Sequence, residues 1–197
     1  LHVIFHPFDG FWDIKHEQRG SVSAATIILT LAIFSYIFAR QYIGFIFSLW
    51  DVTKVNLVGE AISILIPFFL WCIVNWAFTT LTDGKGTFRD IYIATAYALT
   101  PLVLLNIPST LLSHFLVLEE GTFYYLLIAI ATIWSGLLVF IGMMVTHEYD
   151  LLKGLLTSVI TVVGMGAGMF IGLLFANVIE LMVNFGFTIY TEILFRI

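Results

Sequence analysis

The chain has 197 residues, of which 60% are hydrophobic and 11% are charged, and its formal net charge at pH 7 is −5. Soluble domains carry roughly 25% charged residues, so this composition and a mean hydropathy of +1.04 exclude a water-soluble protein and predict an all-α integral membrane protein. The acidic balance excludes a basic nucleic-acid-binding surface, and the single cysteine, Cys72, excludes an intramolecular disulfide.

Residues 1–20 are predicted to form an interfacial lead-in before the first membrane span. Pro7 is suited to open a short helix, on which Phe8, Phe11 and Trp12 share one face at i, i+3 and i+4 spacing. An aromatic face of this kind is typical of a helix anchored in the headgroup region. A hydrophobic segment packed against the membrane bundle is an equal alternative.

Five apolar segments follow within residues 21–197, each close to the ~20 residues that a helix needs to cross a bilayer. Their expected bounds are 22–39, 57–79, 91–113, 122–145 and 155 to about 183. Ser21 is the expected N-cap of the first span, the second is entered through Asn56, and Thr87 and Asp90 have the spacing of a capping box. Lysine and arginine are more numerous in the connections on the N-terminal side, which predicts an inside N-terminus and an outside C-terminus.

Polar side chains occur within or at the edge of these segments at five positions: Glu60, Asn75, Asn106, Asn177 and Glu180. Such groups are costly in lipid unless they are paired. The glutamate of the second segment is expected to form an ion pair with Arg40 or Lys54. The two asparagines of the second and third segments are candidates for interhelical hydrogen bonds. The two residues of the fifth segment form a polar stripe with Asn184, which favours packing or partner contact over an ion pathway.

Prolines interrupt two of the segments. Pro67 and Pro101 lie near the centres of the second and third spans, and Pro108 lies towards the outer end of the third. Each proline removes one backbone donor and frees the carbonyl four residues earlier, which for Pro101 is the carbonyl of Tyr97. We expect a helix kink at each position, with a nearby hydroxyl such as that of Thr100 bonding the freed carbonyl.

Small residues recur at every fourth position of the fifth segment: Gly164, Gly168, Gly172 and Ala176. In a helix they form one ridge with almost no side chain, so another helix can approach its backbone closely. The spacing predicts a helix-packing interface. Whether that interface lies within the fold or between chains stays open.

The sequence shows no catalytic or metal-binding motif. Residues 83–87 (DGKGT) depart from the Walker pattern, because Thr79 stands where its first glycine is required and Gly86 where a serine or threonine is. Residues 147–150 (HEYD) lack the second histidine of a zinc-protease helix. We therefore expect no catalytic residues, enzymatic activity, cofactor or metal, and we expect His147 to be a solvated or interfacial histidine.

Three short motifs carry a family resemblance: residues 6–15 (HPFDGFWDIK), 84–90 (GKGTFRD) and 97–101 (YALTP). Together with five spans, they resemble the Yip family, the Ypt/Rab-interacting membrane proteins, and especially its prokaryotic branch. The resemblance implies a five-span membrane domain with an inside N-terminus. Eukaryotic relatives act in vesicle trafficking and contact prenylated small GTPases, but a bacterial chain would have no Rab partner. The expected location is the bacterial cytoplasmic membrane.

The leading functional hypothesis is a non-enzymatic scaffold or accessory subunit, for example of a larger transport complex. Its expected partners are the lipid bilayer and either another integral membrane protein or a second copy of the chain, with no nucleic acid. One alternative is a small transporter or channel with a midplane cavity framed by Pro67 and Pro101. Another is a membrane-shaping or trafficking-type protein that acts through the aromatic face of the lead-in.

Overall fold

The computed structural model describes residues 2–48 and 55–196, and each secondary-structure element in these ranges is helical. The α-helices are, in chain order, α1 (His2–Phe5), α2 (Pro7–His16), α3 (Val22–Tyr42), α4 (Leu57–Leu81), α5 (Phe88–Ala98), α6 (Thr100–Leu112), α7 (Gly121–His147) and α8 (Leu151–Arg196), with 3-10 turns at Phe45–Phe47 and Leu118–Glu120. Five stretches are long and apolar enough to cross a membrane: Val22–Tyr42, Leu57–Leu81, Phe88–Leu112, Leu118–His147 and Leu151–Glu192. The prediction of a five-span, all-α fold is confirmed.

Side-chain caps start three of these helices where the sequence predicts them. Ser21 Oγ accepts a hydrogen bond from the backbone of α3, and Asn56 Oδ1 accepts two from the backbone of α4. Thr87 and Asp90 form a complete capping box at the start of α5. Because the first backbone N–H groups of a helix have no partner within it, these caps define where each span begins.

The third span, α5 and α6, lies at the centre of the bundle. Helix α5 packs against α3, α4 and α7, while α6 packs against α3 and α7, and α8 lies at the edge of the bundle, mainly against α4. The main core cluster is built from small and medium side chains, among them Ala25, Leu29, Phe68, Cys72 and Ile91. Most large side chains on the outside of the spans are apolar, which suits hydrocarbon rather than water as the surrounding medium.

The third span is divided into two helices at its centre. Helix α5 ends at Ala98 and α6 begins at Thr100, with Pro101 in its first turn. Thr100 Oγ1 donates a 2.6 Å hydrogen bond to the carbonyl of Tyr97, the group that Pro101 leaves without its helical donor. Helices α4 and α6 continue through Pro67 and Pro108.

Helix α8 is longer than the sequence predicts. It begins at Leu151 rather than residue 155 and continues through 46 residues to Arg196, past the expected end at residue 183. At ~1.5 Å per residue it is about 69 Å long, more than twice the ~30 Å hydrocarbon core of a bilayer. Residues 169–192 of this helix are exposed along their whole length.

Candidate functional site

A buried polar network joins three spans near one end of the bundle. We call this end, where α2 and residues 82–87 and 148–150 lie, the N-terminal side. His147, the last residue of α7, is 1% exposed, and its Nε2 lies 3.1 Å from Asn75 Oδ1 in α4. Asn75 Nδ2 donates to Thr161 Oγ1 of α8 at 3.4 Å, and Thr161 donates to the carbonyl of Thr157. The expectation of a solvated His147 is therefore wrong, because Asn75 of α4, the backbone of Gly86 and the ring of Tyr149 surround the imidazole. The residue still lies at the interfacial end of its span.

The order of donors along this network determines the tautomer of His147. The backbone N–H of Gly86 donates to His147 Nδ1 at 3.3 Å, so Nδ1 is the acceptor nitrogen. The proton is therefore on Nε2, which donates to Asn75 Oδ1. The amide of Asn75 is then oriented to donate to Thr161. Each bond is compatible with the next only when the imidazole is neutral.

Two glycines of the loop between α4 and α5 let the backbone reach this histidine. A Cβ on Gly84 would lie 2.6 Å from His147 Nδ1 and 2.8 Å from Thr79 Cβ, and a Cβ on Gly86 would lie 2.6 Å from Thr146 Cγ2. Real Cβ atoms do not approach other atoms so closely, so only glycine fits here. The two glycines flank Lys85 in the turn between the second and third spans. The structure adds that they pack against the end of α7.

A second set of contacts fastens the loop to the start of α8. Tyr149 Oη lies 2.9 Å from Thr82 Oγ1, and it also donates to the carbonyl of Thr82 at 3.2 Å. The Tyr149 ring stacks on the His147 ring, with 5.3 Å between centroids. Lys153 Nζ lies 4.3 Å from the centroid of the Tyr149 ring, a cation–π geometry.

Charged groups of the lead-in and the loop meet at the residues that follow α7. Lys15 Nζ donates to the carbonyl of Thr146. Lys85 Nζ pairs with Oε2 of the Glu148 carboxylate. The other oxygen of this carboxylate, Oε1, lies 3.5 Å from His16 Nε2. The hydrogen bond from Lys85 lowers the pKa of Glu148 below its usual value. Partial burial lowers the pKa of Lys15. The Glu148 carboxylate is thus ionised at neutral pH while it remains at the surface.

Of the three aromatic side chains on the lead-in helix α2, one is buried against the bundle and two are exposed. Phe11 is 1% exposed and lies against Gly142 of α7, where a Cβ would be 3.0 Å from the phenyl ring. Phe8 and Trp12 are 55% and 50% exposed. The prediction that the three aromatic residues form one interfacial anchor is wrong for Phe11, because α2 packs against α7 and buries that ring.

On the opposite side of the bundle, Arg40 and Glu60 form an ion pair. Arg40 Nη2 lies 3.0 Å and Nε 3.2 Å from Glu60 Oε1, as expected for a carboxylate near the end of a span. Lys54, the other expected partner, lies outside the described residues. Asn106 is buried in α6 and lines a cavity of about 250 Å³ together with Arg40 and Tyr124.

The small-residue ridge of α8 changes its surroundings along its length. A Cβ on Gly164 would lie 2.7 Å from atoms of Val74 and Phe78, and one on Gly168 would lie 3.2 Å from Leu70. For Gly172, no heavy atom of the described chain lies within 4 Å of that position. Ala176 is exposed. The ridge therefore packs on α4 in its first half and faces outwards in its second.

The polar stripe of α8 continues this ridge. Glu180 and Asn184 stand four and eight residues after Ala176 and so extend the same i, i+4 row, with Asn177 beside it. All three polar residues are exposed. Within residues 2–48 and 55–196, no group of three His, Cys, Asp or Glu side chains is placed to hold a metal ion.

Comparison with protein families agrees with this architecture. The model of the Yip1 domain matches residues 1–190, which include the lead-in, the loop with Gly84 and Gly86, the first four spans and nearly all of the fifth. No curated protein and no solved structure matches the chain. This integral membrane protein belongs to the Yip1 domain family.

Proposed function

We propose that this protein is a non-enzymatic lateral-association subunit, which packs against another integral membrane protein or a second copy of itself through the exposed half of α8. The observation that carries the proposal is the ridge from Gly172 to Asn184, which faces away from the rest of the described chain. It combines small residues, which permit close backbone approach, with polar side chains that favour a hydrogen-bonding neighbour.

The position of this ridge supports a helical partner. Gly164 and Gly168 lie against Val74 and Leu70, in an antiparallel register of α8 with α4. Continuing that register by one turn brings Gly172 to about the level of Pro67, yet no described heavy atom lies within 4 Å of a Cβ built there. A partner helix that packs on this outward face would meet the bare backbone at Gly172.

The polar end of the ridge suits a partner that supplies hydrogen bonds. Glu180 lies 29 residues after Leu151, where α8 begins, or about 43 Å along the helix, at or beyond the far interface of the bilayer. A carboxylate and two amides at this level can bond to polar groups of a partner in place of headgroups and water. Interhelical hydrogen bonds of this type contribute about 0.6–2 kcal/mol each.

Site-specific photo-crosslinking in intact membranes tests the proposal. A benzophenone amino acid at position 176 lies on the outward-facing ridge, whereas one at position 174 lies at about the same depth on the other face of α8. We expect a discrete protein adduct from position 176, either a dimer or a heteromeric product, and only lipid adducts from position 174. Lipid adducts alone from both positions would contradict the proposal.

A second candidate function, a small transporter, is favoured by two cavities of about 250 Å³ each on opposite sides of the divided third span. Tyr97 and Thr100 line the cavity on the N-terminal side, and Asn106 lines the other. Broken helices often form the substrate site of transporters. Pro67 lines neither cavity, so the two prolines do not frame one midplane cavity as the hypothesis expected. The helix break at Pro101 instead lies between the two cavities.

Cysteine labelling tests this candidate. If the cavities belong to a water-filled route, a cysteine in place of Thr100 reacts with a membrane-impermeant thiol reagent, and a cysteine in place of Leu104, on the exposed apolar face of α6, does not. The native Cys72 is first replaced by alanine. Complete protection of position 100 would exclude the transporter candidate.

A further inference from the structure

A groove at the N-terminal side combines mostly apolar side chains with one carboxylate. Two aromatic side chains of the lead-in, Phe8 and Trp12, line it. The rest of the lining comes from the end of α7 and the residues that follow it: Met144, Val145, Glu148 and Tyr149. We call this feature the Trp12 groove, and its volume is about 270 Å³. It lies where the fourth span ends at His147, at the level expected for lipid headgroups.

We propose that the Trp12 groove binds a phospholipid whose headgroup carries a primary ammonium, of the phosphoethanolamine type. The ammonium would donate to the Glu148 carboxylate, the phosphate would lie near Lys153, and the upper acyl chain would lie along Trp12 and Phe8. This inference is independent of the lateral association through α8, since the two sites share no residue.

Glu148 is the group that selects a cation. Its side chain is 31% exposed, lines the groove, and is held at the turn between α7 and α8 by a left-handed backbone conformation with φ of 54°. Its contact with Lys85 is a surface ion pair, because the lysine is largely exposed. Exposed pairs contribute little to stability, so a lipid ammonium can share or replace the lysine at little cost.

The surrounding rings favour a primary over a quaternary ammonium. Recognition of a quaternary ammonium relies on free aromatic faces. One face of Trp12 is stacked on His16 at 3.7 Å between centroids, and Tyr149 carries His147 and Lys153 against its ring. The carboxylate, by contrast, accepts hydrogen bonds that a primary ammonium donates and a quaternary ammonium lacks.

A lysine near the groove complements a phosphate. Lys153 Nζ lies 4.3 Å from the centroid of the Tyr149 ring, and Tyr149 lines the groove. An anionic lipid without an ammonium would pair with this lysine but would offer no cation to Glu148. One carboxylate and one nearby lysine therefore fit a zwitterion best, since both of its charges find an opposite one. Lys85 serves only as the surface partner of Glu148.

Native mass spectrometry of the purified full-length chain tests the site. The delipidated protein is given an equimolar mixture of phosphatidylethanolamine, phosphatidylcholine and phosphatidylglycerol with identical acyl chains. We expect phosphatidylethanolamine to be retained preferentially, and E148Q to reduce that retention about tenfold, the scale of one lost hydrogen bond to a charged group. W12A should lower retention, whereas W134A, at an exposed tryptophan on α7 outside the groove, should not.

A matched variant separates lipid recognition from loosening of the turn. K85A breaks the same ion pair as E148Q but keeps the carboxylate, so it should retain phosphatidylethanolamine as well as the wild type does. If K85A reduces the retention of phosphatidylethanolamine as much as E148Q does, the effect comes from the loss of the ion pair, and the proposal is overturned. Equal retention of the three lipids, or preference for phosphatidylglycerol, overturns it as well.

Discussion

Replacing His147 with alanine is expected to lower the free energy of unfolding by about 3 kcal/mol. The substitution removes the partners of Asn75 Oδ1 and of the Gly86 N–H, and each buried group left without a hydrogen bond costs about 1–3 kcal/mol. It also leaves a cavity beneath the Tyr149 ring. The measurement is reversible unfolding in mixed micelles, with helix content followed by circular dichroism.

His114 provides a matched control for this substitution. It is exposed on the opposite side of the bundle, and its Nδ1 lies 3.1 Å from the carbonyl oxygen of Thr110, four residues earlier. H114A should therefore change stability by less than about 0.5 kcal/mol. A glutamine at position 147 keeps one donor and one acceptor, and it should recover part of the loss. Equal stability of H147A and H114A would show that the buried network contributes little.

Two leucine substitutions on the ridge of α8 are expected to differ sharply. Gly164→Leu should lower the free energy of unfolding by about 2 kcal/mol, because its Cβ would lie 2.7 Å from atoms of Val74 and Phe78 and would force α8 away from α4. Gly172→Leu should not lower the free energy of unfolding, since its Cβ position is free of described atoms within 4 Å.

The pair controls for helix propensity, because leucine favours a helix over glycine by up to about 1 kcal/mol at either position. The difference between the two variants therefore reports packing alone. Unfolding in mixed micelles measures it, and the crosslink from position 176 gives a second readout. Gly172→Leu should abolish that crosslink while the protein stays folded. Equal destabilisation by the two variants would contradict the division of the ridge into an internal and an external half.

Local signals in the sequence predicted the framework of the fold. The spans follow from runs of apolar residues, and their starts follow from caps such as Thr87 with Asp90, whose partners are three residues apart. The bond from Thr100 to the carbonyl freed by Pro101 is equally local. Such features depend on helix geometry and on the lack of water in lipid, and both act on neighbouring residues.

The buried network was not predictable in the same way. The bonds of His147 to Gly86 and Asn75 join residues 61 and 72 positions apart, and the bond from Asn75 to Thr161 spans 86 positions. A histidine at the end of an apolar run looks like an interfacial residue until its neighbours are known. The signal available in the sequence was the pair of glycines around Lys85, which permits backbone to approach a ring.

The amino-acid sequence alone determined that lipid surrounds most of this protein, where its first three spans start, and which face of α8 lacks side chains. Those properties depend on composition and on periodicity within one helix. Tertiary structure alone decided that Phe11 turns inwards, that His147 is enclosed and neutral, and that the ridge contacts α4 at Gly164 and Gly168 but not at Gly172. Each of these depends on which helix lies beside which, and side-chain packing between distant segments has no local signature in the chain.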